Sequence, residues 1–236
     1  MRERIIRESN EVQRHGFSGP FVHWTVVLSG IALVFSGFGQ MPMYKRYGIS
    51  ELPGLTWSAD YSVTLMVHYV AAAVLMFAVS YHVVHNLLLK KTDLLPRRGD
   101  MRESIVAITA MFGLGKEPKS DKYHAKQRLA YAYIAFWMAV IILTGIIKVI
   151  KNLPAVSLST SSIWLADNLH TLATFMLILG VVAHLGAFLF KQNRPLIRGM
   201  FTGKVDLDYV KHHHVLWYER LVEKEKRAPQ KGSDTQ

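Results

Sequence analysis

Two histidines in a long apolar segment are the residues of this sequence with the clearest chemical potential. His170 and His184 lie fourteen residues apart within residues 163–190, a segment that is otherwise almost wholly apolar. On an α-helix both side chains would leave the same face within roughly 40°, about 21 Å apart along the axis. A helix of this length can cross a bilayer. Because an ionisable side chain inside a membrane is costly and usually faces the bundle interior, we expect one imidazole near each membrane surface.

The composition indicates a membrane protein rather than a nucleic-acid-binding one. Half of the 236 residues are hydrophobic and the net charge is +11, yet the basic residues flank apolar runs instead of forming one stripe. The sequence predicts an all-α membrane protein, a four-transmembrane-helix bundle formed by residues 21–190. Its helices are expected near residues 21–39, 61–89, 127–150 and 163–190. Residues 1–20 are predicted to form an N-terminal segment, and residues 191–236 a polar tail.

Charge also predicts how the helices are oriented. The N-terminal segment, the loop between the second and third helices and the tail together hold 24 of the 28 Lys and Arg residues. The positive-inside rule then places both termini in the cytoplasm. Within the tail, residues 218–227 are expected to form a charged helix, and Ala228–Gln236 is predicted to be disordered. The absence of cysteine excludes disulfides, haem attachment through C-x-x-C-H and iron–sulfur clusters held by thiolates of this chain.

Four intramembrane histidines then fall at two matched depths. His68 and His170 are each seven residues past the outer start of a helix, whereas His23 and His184 lie near cytoplasmic ends. Two imidazoles on facing helices at equal depth are what a six-coordinate b-type haem requires. The pattern therefore predicts two haems b, bound by His68 with His170 and by His23 with His184, that form an electron path across the membrane.

The spacing leaves a second ligand set open. His82 also lies fourteen residues after His68, so His68 and His82 could face His170 and His184, with His23 left over. His85 is expected at the interface. The run His212–His214 is expected to be solvated or to face a partner, rather than to bind a metal.

Several motifs resemble those of a known family. They are the histidine that opens the first helix, the pair fourteen residues apart, and two stretches of the tail, found at residues 23–27, 169–184, 199–205 and 211–218. On these residues the chain resembles the γ subunit, a dihaem cytochrome b, of membrane-bound respiratory formate dehydrogenase. It is also similar to the cytochrome b subunit of nickel–iron hydrogenases. The resemblance implies His68 with His170 for the outer haem and His23 with His184 for the inner one.

The resemblance also implies a quinone site, with menaquinone as the expected substrate. In the family it lies beside the inner haem and includes a Lys-Tyr-Asn-x-Gly-Gln-Lys stretch, which Lys122–Arg128 matches here. Gln127 is kept, but His124 replaces the Asn and Lys126 the Gly. We expect His124 and Gln127 to bind the quinone, and His124 to titrate near neutral pH and deliver protons.

The partners follow from the same resemblance. It implies an iron–sulfur subunit that donates electrons from outside the cytoplasm, a molybdenum or tungsten catalytic subunit, and a bacterial inner membrane with its lipids. The donor would then be oxidised on another subunit and not by residues of this chain. Two other functional classes remain. One is a proton-relaying transporter, which is disfavoured because Asp167 is the only acidic residue in the four spans. The other is a non-redox membrane anchor, which would bind no chromophore.

Overall fold

The computed structural model describes residues 3–111, 113–116 and 118–227. The helices in this part of the chain are α1 Ser18–Gly39, α2 Pro42–Arg46, α3 Tyr61–Leu88, α4 Asp100–Met111, α5 Ala125–Ile150, α6 Thr160–Gly186, α7 Pro195–Thr202, α8 Leu207–His213 and α9 Val215–Arg227. Three short strands accompany them: β1 Arg4–Ile6, β2 Glu11–Gln13 and β3 Lys204–Asp206. The predicted disorder of Ala228–Gln236 lies outside the described residues.

Among the described residues, four helices are long and apolar enough to cross a membrane, namely α1, α3, α5 and α6. The prediction of four such helices is confirmed, and the predicted helix over residues 218–227 is found as α9. Polar caps fix two of the long helices at their first turns. The Asp60 carboxylate accepts the backbone N–H of Ser62 at 2.8 Å before α3, and the Ser159 hydroxyl accepts that of Ser162 at 3.1 Å before α6.

The described chain divides into two units, of which the α1–α3 unit comprises residues 18–91. Its two long helices run antiparallel. Ser18 at the start of α1 lies 3.4 Å from the Nε2 atom of His85 near the end of α3, and a Cβ on Gly39 would lie 3.1 Å from Thr64. Small buried side chains, such as Ser36, line the contact and let the two backbones approach closely.

The α5–α6 unit contains the remaining described residues, 3–17 and 92–227. Its long helices are also antiparallel, because Lys148 near the end of α5 pairs at 3.0 Å with Asp167 near the start of α6. Nearer the start of α5, the Tyr133 hydroxyl donates to the backbone carbonyl of Met176 at 2.8 Å. A Cβ at Gly180 would lie 2.9 Å from the Tyr133 ring, so the glycine allows the helices to pack closely at this level.

Both ends of the chain fold together within the α5–α6 unit. The strands form an antiparallel sheet in the order β1-β2-β3, so the N-terminal segment pairs directly with residues 204–206. Helices α8 and α9 pack on this sheet around a core of Val12, Val205, Leu207, Val210, Trp217 and Leu221. We call residues 3–17 and 191–227 the terminal layer. The sequence analysis did not predict this sheet, since strands of three residues are too short for their alternation to be recognised.

Gly203 joins the two ends of the terminal layer. Its backbone has a φ of +72°, and its carbonyl accepts the N–H groups of Arg14 at 2.9 Å and His15 at 3.0 Å. A Cβ at this position would lie 2.6 Å from the carbonyl oxygen of His15. The turn therefore requires glycine for both its backbone conformation and its close contact.

We expect Gly203→Ala to destabilise the terminal layer by at least about 2 kcal/mol, because a left-handed alanine is strained and its Cβ meets backbone. Thermal unfolding of the purified protein should show a lower midpoint, and protease should cleave residues 1–17 sooner. Gly186→Ala is the matched control, since a Cβ there would meet no atom within 4 Å and the residue ends a helix. Equal stability of the two variants would contradict this reading of the turn.

Candidate functional site

The four histidines predicted to bind haem are divided equally between the two units. His23 on α1 and His68 on α3 belong to the α1–α3 unit, whereas His170 and His184 both lie on α6. Helix α6 is continuous between its two histidines, so their predicted separation of about 21 Å along the axis applies. Each predicted ligand pair takes one histidine from each unit, and this pairing stays a prediction.

His68 is held by a hydroxyl group of the neighbouring helix. Its Nδ1 atom lies 3.0 Å from Oγ of Ser36 on α1, and Ser36 in turn donates to the carbonyl of Ala32 at 2.6 Å. The next residue of α1 is Gly37, where a Cβ would lie 3.5 Å from the imidazole Cε1 atom. The imidazole therefore rests against a serine–glycine step on the adjacent helix.

His170 has the same environment in the other unit. Its Nδ1 atom lies 3.0 Å from Oγ1 of Thr144 on α5, and Thr144 donates to the carbonyl of Val140 at 2.8 Å. Gly145 follows Thr144, and a Cβ there would lie 3.4 Å from the imidazole Cε1 atom. A threonine–glycine step thus replaces the serine–glycine step, with the same ring atoms in contact.

The similarity between the surroundings of His68 and His170 extends to the neighbouring residues of their own helices. Four residues before and three residues after the histidine, each helix has a small buried side chain; these are Thr64 and Ala71 on α3, and Ala166 and Ala173 on α6. Sequence analysis identified His68 and His170 but missed Ser36 and Thr144. The signal that could have found them is the repeated hydroxyl–glycine pair on the helix preceding each histidine.

At the other end of the α1–α3 unit, depth does not distinguish His23 from His82 as the candidate ligand. The contacts of Ser36 with His68 and of Ser18 with His85 set the antiparallel register, which places His23 within about 3 Å of His82 along the helix axes. The two histidines lie on different helices at nearly one level.

His82 has a hydrogen-bond partner on its own helix. On α3, the side-chain nitrogen of Asn86 lies 3.0 Å from the Nε2 atom of His82, one turn earlier on the same helix. An amide N–H that donates to Nε2 occupies the lone pair that an iron ion would need. The choice of His23 over His82 as the ligand stays a prediction. His85, by comparison, stacks on Tyr81 with the ring centroids 5.5 Å apart.

His184 is exposed on α6 and makes an edge contact with Phe188, with ring centroids 5.5 Å apart. The contacts of Thr144 with His170 and of Lys148 with Asp167 set the α5–α6 register, which places His184 level with Ala130. The first turn of α5, which contains Gln127, is therefore about 5 Å farther along the axis.

The predicted quinone-binding residues lie where α5 begins. Oε1 of Gln127 accepts the backbone N–H of His124 at 3.0 Å, so the amide nitrogen is the part of that side chain left to donate to a ligand. Arg128 is used structurally: its guanidinium forms a two-point ion pair with Asp100 of α4 and donates to the carbonyl of Tyr123 at 2.7 Å. Gln127 and Arg128 therefore both help to fix the start of α5.

His124 is buried beside the imidazole of His214, which belongs to the terminal layer. Its ring centroid lies 4.7 Å from that of His214, whose side chain is fully enclosed. The Nδ1 atom of His214 donates to the carbonyl of Asp121 at 2.7 Å, and Arg14 donates to Nε2 at 3.3 Å. The expectation that His212–His214 is a solvated run is therefore wrong for His214, which anchors the tail to the residues before α5.

Burial keeps both imidazoles neutral. Loss of solvent, followed by the neighbouring His214, Lys126 and Arg14, lowers the pKa of His124 to about 2. Loss of solvent and the Arg14 guanidinium lower the pKa of His214 to about 3. The expectation that His124 titrates near neutral pH is wrong, because the sequence could not show that this residue is enclosed beside a buried cation.

Comparison with known proteins supports a cytochrome. The model of the prokaryotic cytochrome b561 family matches residues 14–203. The chain is also 24% identical over 228 residues to the cytochrome b556 subunit of formate dehydrogenase from Haemophilus influenzae, which covers 92% of this chain and 86% of that protein. These findings confirm the resemblance stated from the sequence.

The two buried imidazoles predict that the protein is less stable in acid. An unfolded histidine takes up a proton near pH 6.5, whereas His124 and His214 stay neutral until far lower pH. Stability is therefore complete above about pH 6.5 and falls as the pH decreases, by up to about 1.4 kcal/mol per pH unit for each histidine. The unfolding midpoint, measured from pH 8 to pH 5, should decline accordingly.

Variants separate this effect from general acid lability. Replacing either buried residue, by His124→Gln or His214→Gln, should flatten the decline below pH 6.5, whereas His212→Gln should leave it unchanged because His212 is exposed. An identical acid dependence in all of these variants would show that other groups take up the protons.

Proposed function

The chain belongs to the prokaryotic cytochrome b561 family, and we propose that it is the cytochrome b subunit of a respiratory formate dehydrogenase complex. In this role it passes electrons inward, from an extracytoplasmic donor to a quinone near the cytoplasmic face. The observation that carries the proposal is the equivalent placement of His68 and His170, each supported through Nδ1 by a hydroxyl of the adjacent helix. A metal-ligating histidine usually donates its other ring N–H to a hydrogen-bond acceptor, and here a hydroxyl oxygen would take that place.

The residues fit two haems b. His68 and His170 would hold the outer haem, and His23 and His184 the inner one. A bound haem b takes up and releases one electron at its iron. The chain's own contribution is to fix the imidazoles on packed apolar helices. Gly37 and Gly145 keep the backbone beside two of the rings free of side chains.

The proposal assigns donor oxidation to other subunits. The chain contains no cysteine and so cannot hold an iron–sulfur cluster through thiolates. The similarity to a formate dehydrogenase subunit supports an iron–sulfur partner, with a molybdenum or tungsten catalytic subunit behind it. Those partners would contact the end of the α5–α6 helix pair at which Lys148 and Asp167 lie. Asp167 is one helical turn from His170.

The membrane arrangement follows from charge and hydropathy. The four apolar helices and the family make the chain an integral membrane protein. The distribution of Lys and Arg supports the bacterial inner membrane with both termini in the cytoplasm. In that orientation the terminal layer and the first turn of α5 lie on the cytoplasmic side, together with His184.

We place the quinone, menaquinone by resemblance, beside this first turn. Gln127 offers an amide donor for a quinone carbonyl at nearly the depth of His184. His124 would serve by holding the start of α5 and by offering a neutral imidazole, because its pKa of about 2 prevents it from carrying a proton from the cytoplasm. The protons would then come from water or from other groups at the surface.

Haem content tests the central proposal. We expect two haems b per chain in the purified complex, counted as the pyridine haemochrome. His170→Ala and His184→Ala should each remove one haem because each removes an imidazole that would hold the iron. His82→Ala should retain both, and exposed His212 provides the control through His212→Ala. A wild-type chain without haem would refute the cytochrome function and leave the anchor role. If His82→Ala loses a haem while His23→Ala does not, the other ligand set is correct.

Quinone binding requires a separate measurement of the two half-reactions. Gln127→Leu should slow reoxidation of the reduced haems by quinone on the order of tenfold, since one hydrogen bond to the substrate is lost. Reduction by the donor should keep its rate. Gln192→Leu is the control, because it makes the same substitution just past the end of α6 that carries His184. Unchanged reoxidation in Gln127→Leu would place the quinone elsewhere.

A further inference from the structure

We propose that Ser36 and Thr144 are positioning residues that orient His68 and His170 toward the iron of one shared haem and lower its reduction potential. The inference rests on the proposed haem ligation by these two histidines. It adds a defined role for two hydroxyl groups, which would act through the imidazoles without touching the haem.

The direction of the hydrogen bond to His68 follows from the bonds of Ser36. A serine hydroxyl has a single hydrogen. Oγ of Ser36 lies 2.6 Å from the carbonyl oxygen of Ala32, which can only accept, so the hydroxyl hydrogen is used there. The contact of 3.0 Å with Nδ1 of His68 must then be donated by the imidazole. A neutral imidazole with its hydrogen on Nδ1 carries the lone pair on Nε2.

Thr144 leads to the same conclusion for His170. Its hydroxyl donates to the carbonyl of Val140 at 2.8 Å, so its oxygen accepts from Nδ1 of His170 at 3.0 Å. Both histidines are thereby fixed in the tautomer that presents Nε2 as the metal ligand. Because both hydroxyls are buried, water does not compete for these bonds.

Two consequences follow for a bound haem. An imidazole that donates from Nδ1 gains electron density at Nε2, which makes it a stronger ligand for ferric iron and lowers the reduction potential. The bond also restricts rotation of each ring, so the protein would set the orientation of both imidazole planes on a bound haem. Gly37 and Gly145 lie next to the two hydroxyl residues and allow the rings to rest against the backbone.

A simpler explanation is that buried hydroxyls in a membrane helix merely bond the carbonyl four residues earlier. Ser29 does this on α1: it donates to the carbonyl of Thr25 at 2.7 Å and is as enclosed as Thr144. Backbone bonding alone does not account for the recurrence of the same ring contact in both units. Ser29 therefore provides the matched control, since the structure gives it the same backbone bond.

The experiment compares Ser36→Ala, Thr144→Val and the double variant with Ser29→Ala in the purified complex. Thr144→Val preserves side-chain shape, and Thr144→Ser restores the hydroxyl. Three properties are measured: the haem count, the midpoint potential of each haem by redox titration in the visible range, and the low-spin ferric EPR spectrum, which reports the angle between the imidazole planes.

We expect both single variants to raise the potential of the same haem and to shift its highest EPR g value, with a larger change in the double variant. Ser29→Ala should change neither property, and Thr144→Ser should restore wild-type values. Loss of that haem in Ser36→Ala but not in Ser29→Ala also supports the proposal. Retention of two haems with unchanged potentials and spectra overturns it, as do shifts in two different haems. A wild-type protein without haem would instead refute the underlying function.

Discussion

The constraint on which this structure depends is that an imidazole inside an apolar helix must have partners for its ring nitrogens. His68 and His170 meet it in the same way, through a hydroxyl on the adjacent antiparallel helix that is itself bonded to its own backbone. That arrangement gives Nδ1 of each histidine a protein partner, and the proposed function gives Nε2 to a haem iron. The packing of α1 on α3, and of α5 on α6, is therefore inseparable from the chemistry, because only this register brings Ser36 and Thr144 to the rings.

Small residues make this register possible. Glycine, alanine and a hydroxyl residue occupy the contact between each pair of long helices, so the backbones approach closely enough for a short hydroxyl side chain to reach an imidazole. A larger residue at Ser36 or Thr144 would fill the same space without supplying an acceptor. Close packing and the orientation of the two imidazoles thus depend on the same positions.

The terminal layer shows a different use of histidine. His214 is enclosed together with Arg14, and its Nδ1 bond to Asp121 ties the tail to the residues that precede α5. The buried cation and the lost solvent keep His124 and His214 neutral, so they serve as rigid hydrogen-bonding groups and not as proton carriers. The start of α5, where the quinone is proposed to bind, is therefore fixed from one side by this layer and from another by the ion pair of Arg128 with Asp100.

The sequence by itself determined the four apolar helices and the histidines worth examining, because membrane thickness and the helical repeat act on local composition and spacing. Its motifs also identified the family. Only the tertiary structure decided which groups contact those histidines, since Ser36 and His68 are 32 residues apart and are joined by helix packing. It likewise revealed the sheet that unites the chain ends and the burial of His124, which reversed the expected protonation. A pKa depends on enclosure and on neighbours brought from distant parts of the chain, and residue type alone does not specify these.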